Sequence, residues 1–336
     1  MRHFLFVVFA LFYGVAQAQD WEDRAFFGDN AAPVTLRVLS STDRNVFSPI
    51  LEKFVTENPN YAVDYFVAGT SDLNTIFRDT PEAFDLVVSS AMDLQFKLAN
   101  DGYARRVEAL DYPRWAQWRQ SVFAFTSEPA AIVLNRTAFD GAPLPKTRQD
   151  LIRLLRSDPD TFKGKLGTYD VRASGVGYLF ATQDARASET FWRLMEVMGN
   201  LDARLYCCSG DMIEDVASGE IAVAYNVLGS YAAARKDLAA SIKVVLPADF
   251  QTIMMRTVLI SGETTEPEAA EALLSFLLEN KAIDGEYRAD GLPGLDLSRG
   301  ADEQSTIALE PALLTYLDAV KARRFLAEWA DAIIQP

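Results

Sequence analysis

Between Thr35 and Asn100 the chain runs three times through one unit: a short apolar strand, a polar turn and a helix. Thr35-Leu36-Arg37-Val38-Leu39 reads as a strand ending in the turn Ser40-Ser41-Thr42-Asp43. Phe47, Ile50, Leu51, Phe54 and Val55 then recur at helical spacing, and Asn58-Pro59 stops that helix. Ala62 to Val67 is a second strand, and Gly69-Thr70-Ser71-Asp72 opens a helix through Leu73, Ile76 and Phe77. Phe84 to Val88 is a third, ending at Ser89-Ser90 before a helix from Met92 to Asn100. Strands joined through helices run parallel, because each crossover brings the chain back to the same end of the sheet. The repeat therefore predicts a doubly wound α/β sheet, in which ligands sit beyond the carboxyl ends of the strands. All three polar turns fall at those ends.

A second block follows the same grammar. Ala131 to Asn135, Leu166 to Tyr169, Ile221 to Tyr225 and Ile242 to Leu246 read as strands, and Lys146 to Ser157 as a helix. Phe125-Thr126-Ser127-Glu128-Pro129 punctuates the way in, and Thr257 to Ile260 reads as a return. A chain of 336 residues exceeds one comfortable core. Two lobes are expected, with crossings near Phe125 and Phe250: residues 19–124 and 251–336 in lobe 1, and 125–250 in lobe 2. Helices from Ala269 to Glu279 and from Pro311 to Ile334 are expected to close lobe 1. Paired crossings make a hinge, and hinges serve closure on a ligand.

Residues 1–18 read as a signal peptide. Arg2 is basic, Phe4 to Val15 is apolar but too short for a ~30 Å hydrocarbon core, and Ala16-Gln17-Ala18 fits the cleavage pattern. The mature protein is expected in the periplasm. Its formal charge, −15 for the whole chain and −16 once Arg2 is lost, denies it the basic face that nucleic acid requires. The one histidine is His3, within the leader. A Ser-His-Asp triad and a His-based zinc site are therefore excluded from the mature chain. No enzymatic activity, cofactor or metal is expected, and a monomer is. Cys207 and Cys208 are adjacent. Neighbouring Cα atoms lie only ~3.8 Å apart, below the usual ~4.4–6.8 Å of a disulfide. A vicinal bridge and a pair of free thiols both stay open.

Helix N-termini carry unpaired N–H groups and bind anions. Ser40, Ser41, Thr42, Thr70, Ser71, Ser89, Ser90, Ser174 and Gly175 supply hydroxyls or close backbone at four such turns. Each hydroxyl could equally serve as a cap with no ligand. Arg44 and Arg172 are the best cationic partners for an anion, with a surface ion pair as the plain alternative. Tyr225, Asn226 and Tyr231 follow a buried-looking strand and could reach the cleft from lobe 2. Tyr112, Trp115 and Trp118 read as lobe-surface packing rather than a sugar site.

The stretches LRVLSSTDRNVFSPILEKFVTENPNYAVDYFVAGTSDLNTIF, DLVVSSAMDLQFKLANDGYA, FAFTSEPAAIVLNR, RASGVGYLFATQDA and AVAYNVLGSYA resemble periplasmic iron(III)-type solute-binding proteins. Within that group the chain looks closest to the phosphoglycerate and sugar-phosphate binding branch. The resemblance implies a type II periplasmic-binding fold, venus-flytrap closure and an ABC permease as partner, or in some relatives a sensor histidine kinase. The iron-binding branch uses adjacent tyrosines where this chain reads Tyr225-Asn226, with the next tyrosine at Tyr231. The resemblance therefore implies a small phosphorylated or carboxylated anion, at polar positions including Ser40, Thr42, Arg44, Ser90, Arg172, Ser174, Gly175, Asn226 and Tyr231.

Overall fold

The computed structural model describes residues 21–108, 110–279, 292–295 and 306–335; the expected leader, 1–18, lies outside them. Strands β1 (Asp23–Phe27), β2 (Val34–Ser40), β3 (Tyr61–Val67), β4 (Leu86–Ser89), β5 (Gln117–Trp118) and β6 (Val122–Ala124) come first along the chain. Next come β7 (Glu128–Asn135), β8 (Leu166–Tyr169), β9 (Arg204–Tyr206), β10 (Val223–Leu228), β11 (Ile242–Val245) and β12 (Ile253–Met254). The strand β13 (Thr257–Ile260) then returns. They form two sheets, one per lobe, ordered β1-β3-β2-β4-β13-β6-β5 and β11-β7-β10-β8-β9, with β12 paired to the start of β7.

The repeated unit builds the parallel heart of the first sheet, β3-β2-β4. Its flanks are antiparallel: β1 on β3, β13 on β4, and the β5–β6 hairpin beyond. The sheet is thus mixed rather than wholly parallel. β13 enters from lobe 2 at the cleft end, so it must run against β4. In the helix Arg44–Glu57, Phe47, Ile50, Leu51 and Phe54 face the core as their spacing predicts.

One expected assignment is corrected. The helix Pro267–Glu279 does pack Leu273, Leu274 and Leu277 into the core shared with the first sheet. The last helix, Ala319–Ile333, leaves lobe 1 and lies on the helix Thr190–Asn200 of lobe 2. There Phe325, Trp329 and Ile333, spaced by four and so on one helical face, bury against Phe191, Leu194 and Met198. The 3-10 segment Pro311–Leu317 bridges the lobes. It packs on the helix Met92–Asn100 of lobe 1, and its Tyr316 carbonyl accepts from Tyr178 Oη of lobe 2 at 2.6 Å. A third crossing therefore joins the lobes, and residues 311–335 do not close lobe 1.

Candidate functional site

The carboxyl ends of β2, β3 and β4 face those of β8 and β10 across a cavity of about 120 Å³. Helices beginning at Arg44, Thr70, Gly175 and Ser209 start at its wall. Of the expected site residues, Ser41, Thr70, Ser90, Ser174 and Tyr231 line it.

The other expected residues are elsewhere. Ser40 and Ser89 are buried, their hydroxyls accepting from the N–H of Thr42 and Ala91 at 3.0 and 3.1 Å. Thr42 Oγ1 accepts from the buried Arg256 at 2.6 Å. Ser71 is not part of the wall, and Gly175 lies beneath Thr70. Arg44 pairs with Asp23 at 3.1 Å on the surface. Arg172 forks onto Asp170 at 2.8 and 2.7 Å, 5.7 Å from the Trp329 ring. Neither arginine reaches the cavity, because each has an acidic partner nearer at hand.

Tyr225 and Asn226 belong to a buried network inside lobe 2. Tyr225 Oη donates to Asp184 at 2.6 Å and accepts from Arg148 Nε at 2.6 Å. Asn226 Nδ2 and Thr252 Oγ1 also donate to Asp184, at 3.0 and 2.6 Å. Asn226 adopts φ +63° where β10 slips register against β7, which turns its amide onto Asp184.

Sequence reasoning passed over the acids and part of lobe 2. Glu22, Asp43 and Asp72 line the cavity, as do Tyr169, Ser209 and the Cys207–Cys208 pair. Asp43 and Asp72 end two of the turns already singled out, and Tyr169 ends a recognised strand. Nothing in the sequence pointed to Glu22. In this structure Cys207 and Cys208 are joined as a vicinal disulfide with Cα atoms 3.8 Å apart.

Several of the N–H groups expected to hold an anion are already engaged by the chain itself, while the helix Thr70–Asp79 has no side-chain cap. Thr70 Oγ1 of lobe 1 accepts from Gly175 N and Val176 N of lobe 2, at 2.8 and 3.2 Å. Ser174 Oγ caps Gly177 N at 3.2 Å, and Ser41 Oγ accepts from Ser90 N at 3.2 Å. Tyr231 Oη of lobe 2 accepts from Asp43 N of lobe 1 at 3.1 Å. The bonds at Thr70 and Tyr231 run between lobes, so the molecule is in its closed arrangement.

The charge of the wall is one-sided: among the described residues, no lysine or arginine lines it. Burial raises the Glu22 carboxyl above its ordinary value, and the charges of Asp43 and Asp72 push the same way. Burial also raises Asp43, against the pull of Arg256. That guanidinium is matched by Glu128 at 2.9 and 3.1 Å, where the chain crosses between lobes. Among the described residues, the one close cluster of metal-ligating types is Cys207, Cys208 and Asp211, and the disulfide occupies both sulfurs.

Two α/β lobes that meet over a shared polar cavity, bonded to each other across it, define a binding protein that closes on a small solute. The chain belongs to the bacterial extracellular solute-binding proteins, whose family model matches residues 36–284. It is 31% identical to the substrate-binding protein of an ABC transporter from Agrobacterium tumefaciens, with a TM-score of 0.84 over 93% of this chain and 98% of that one. Two further structures share the fold at lower identity. The periplasmic binding protein AfuA from Actinobacillus pleuropneumoniae, with fructose-6-phosphate bound, is 14% identical over 90% of this chain and 99% of that one, at a TM-score of 0.70. Iron-bound HitA from Pseudomonas aeruginosa is 17% identical over 89% and 99%, at a TM-score of 0.65. No curated protein sequence matches the chain. The family consists of binding proteins, not enzymes, that serve the permease components of ABC transporters from the extracellular or periplasmic side. Among the described residues no helix is long and apolar enough to cross a membrane.

Proposed function

We propose that this protein, exported through its first 18 residues, captures a small cation-bearing polar solute by lobe closure and delivers it to an ABC permease. The lobes rotate about the crossings near residues 125–128 and 254–257, where Glu128 and Arg256 pair. The observation that carries this reading is a cavity walled by both lobes, where the described lining residues bring acids and hydroxyls but no basic side chain. A solute held inside touches both lobes and so favours the closed form over the open one.

The phosphorylated or carboxylated anion implied by the resemblance fits this wall poorly. A like charge ~4 Å from a carboxylate costs about 4 kcal/mol at an effective dielectric of ~20. Glu22, Asp43 and Asp72 suit an ammonium or amidinium group, and the rings of Tyr169 and Tyr231 offer it aromatic faces. Ferric ion is not favoured, because Tyr225 is engaged with Arg148 and Asp184, and the cavity carboxylates are too dispersed to form a close cluster.

The test is to purify the mature protein from the periplasm, denature it, and identify the released solute by mass spectrometry. One small solute with a basic nitrogen is expected per chain. A solute with only phosphate or carboxylate groups overturns the charge assignment and leaves capture standing. X-ray scattering that does not change when the solute is removed and restored overturns capture by closure.

A further inference from the structure

A second cavity, of about 550 Å³, opens on lobe 1 beside the β5–β6 hairpin. Strand directions place it. Thr257 of β13 pairs antiparallel with both Ser89 and Ala124, so β6 runs in the same direction as β4 and both end near the cleft. The hairpin turn at 118–121 therefore lies at the opposite end of the sheet. The two cavities share no residue.

Asn100, Arg106, Trp118, Arg119 and Ser121 form the polar part of its wall, and among the described residues no aspartate or glutamate lines it. In a chain of net charge −15 this is the reverse of the cleft. Arg106 and Arg119 are exposed, and neither forms an ion pair or side-chain hydrogen bond among the described residues. Two acids nearby already have basic partners: Asp101 pairs with Lys97 and Arg78, and Glu271 with Arg105 at 3.6 Å.

The hairpin is also built at a cost. Ser121 N donates to Trp118 O at 2.9 Å, closing a two-residue loop in which Arg119 and Gln120 have φ of +49° and +56°. Loops of this kind favour Asn-Gly, and longer side chains at positive φ persist where something selects them. Arg119 lies 5.2 Å from the Trp118 ring, which packs on Phe96 at 4.8 Å. The buried Trp118 Nε1–H has no acceptor among the described residues.

We propose that this pocket is a second binding site, taking a small oxyanion, a carboxylate or phosphate group, between Arg106 and Arg119. Two guanidinium forks match such a group. The oxyanion is either a free solute or one carried on a partner's acidic side chain, and both present the same chemistry.

Titration of the mature protein with inorganic phosphate, acetate and capped tetraglutamate, at constant ionic strength, tests the site by calorimetry and tryptophan fluorescence. Saturable binding is expected, weakened at least tenfold in Arg106→Ala and in Arg119→Ala. Arg119→Gly relieves the positive-φ strain, so it keeps the hairpin and must lose binding equally. Tetraglutamate binding more tightly than acetate assigns the site to a partner's side chain, and equal or weaker binding assigns it to a free anion. Non-saturable titration of all probes, or variants that bind like the wild type, overturns the proposal.

Discussion

Replacing Gly175 with alanine should hold the lobes apart. The added Cβ would lie 2.9 Å from Leu94 Cδ1, 3.1 Å from Thr70 Oγ1 and 3.3 Å from Ala91 Cβ. All three belong to lobe 1, whereas Gly175 begins a lobe 2 helix. Leu94 can swing aside. Thr70 cannot retreat without stretching the 2.8 Å bond it accepts from Gly175 N. A neutral hydrogen bond contributes ~0.5–1.5 kcal/mol, and overpacking costs ~1–3 kcal/mol. Taking about 2 kcal/mol together, the closed form becomes roughly thirtyfold less populated relative to the open one. In the open form the methyl meets none of these atoms, and alanine is the better helix former. Melting temperature without solute should therefore change little. Affinity for the solute that copurifies should fall by up to the same roughly thirtyfold, because binding requires the closed form. Calorimetry measures the affinity, and X-ray scattering measures the maximum dimension with solute bound. Unchanged affinity and unchanged scattering would refute the role of Gly175 as a closing contact. An affinity loss accompanied by a large drop in melting temperature would move the cause to folding of lobe 2.

Three further outcomes are expected. Asp43→Asn should weaken a cation-bearing solute about ten- to hundredfold, the loss of one charged hydrogen bond, and tighter binding in calorimetry would contradict the assigned charge. Asp93 is buried, its carboxylate accepts from Leu94 N, and among the described residues it has no cationic partner, so burial raises its carboxyl from 3.8 to about 7. The folded state then holds a proton that the unfolded chain releases, so stability is full below about pH 4 and falls as pH rises to about 7. Asp93→Asn should remove up to about 4 kcal/mol of that loss and raise the melting temperature at pH 8, and parallel melting profiles for mutant and wild type between pH 4 and 8 would refute this. Asp184→Ala should strand the fully buried Arg148 and cost about 3–5 kcal/mol by chemical denaturation, and a loss below about 1 kcal/mol would mean that Arg148 finds its charge balance in Asp249 alone.

The elements around the site were legible because their signals are local. Period-3.6 spacing marked the helix that buries Phe47, Ile50, Leu51 and Phe54, and the three strand–turn–helix units led to the parallel β3-β2-β4 core. The location of the cavity at the carboxyl ends of those strands followed from the same repeat. Which atoms face it did not. Ser40 and Thr42 turn inward to a cap and to Arg256, leaving Ser41 and Asp43 on the wall, and that phase is set by packing. The apolar stripe Phe325, Trp329, Ile333 is plain in the sequence, but any apolar surface could cover it, and only the assembled lobes direct it to lobe 2. Arg44 and Arg172 were visible as charges, while their neutralisation by Asp23 and Asp170 was not. Local signals in the chain set the units, their order and the end of the sheet at which the cavity opens. Tertiary structure alone decided the sign of the cavity. Charge balance depends on separations of a few ångströms between groups far apart in the chain, such as Glu22, Asp43 and Arg256, and only packing sets those distances.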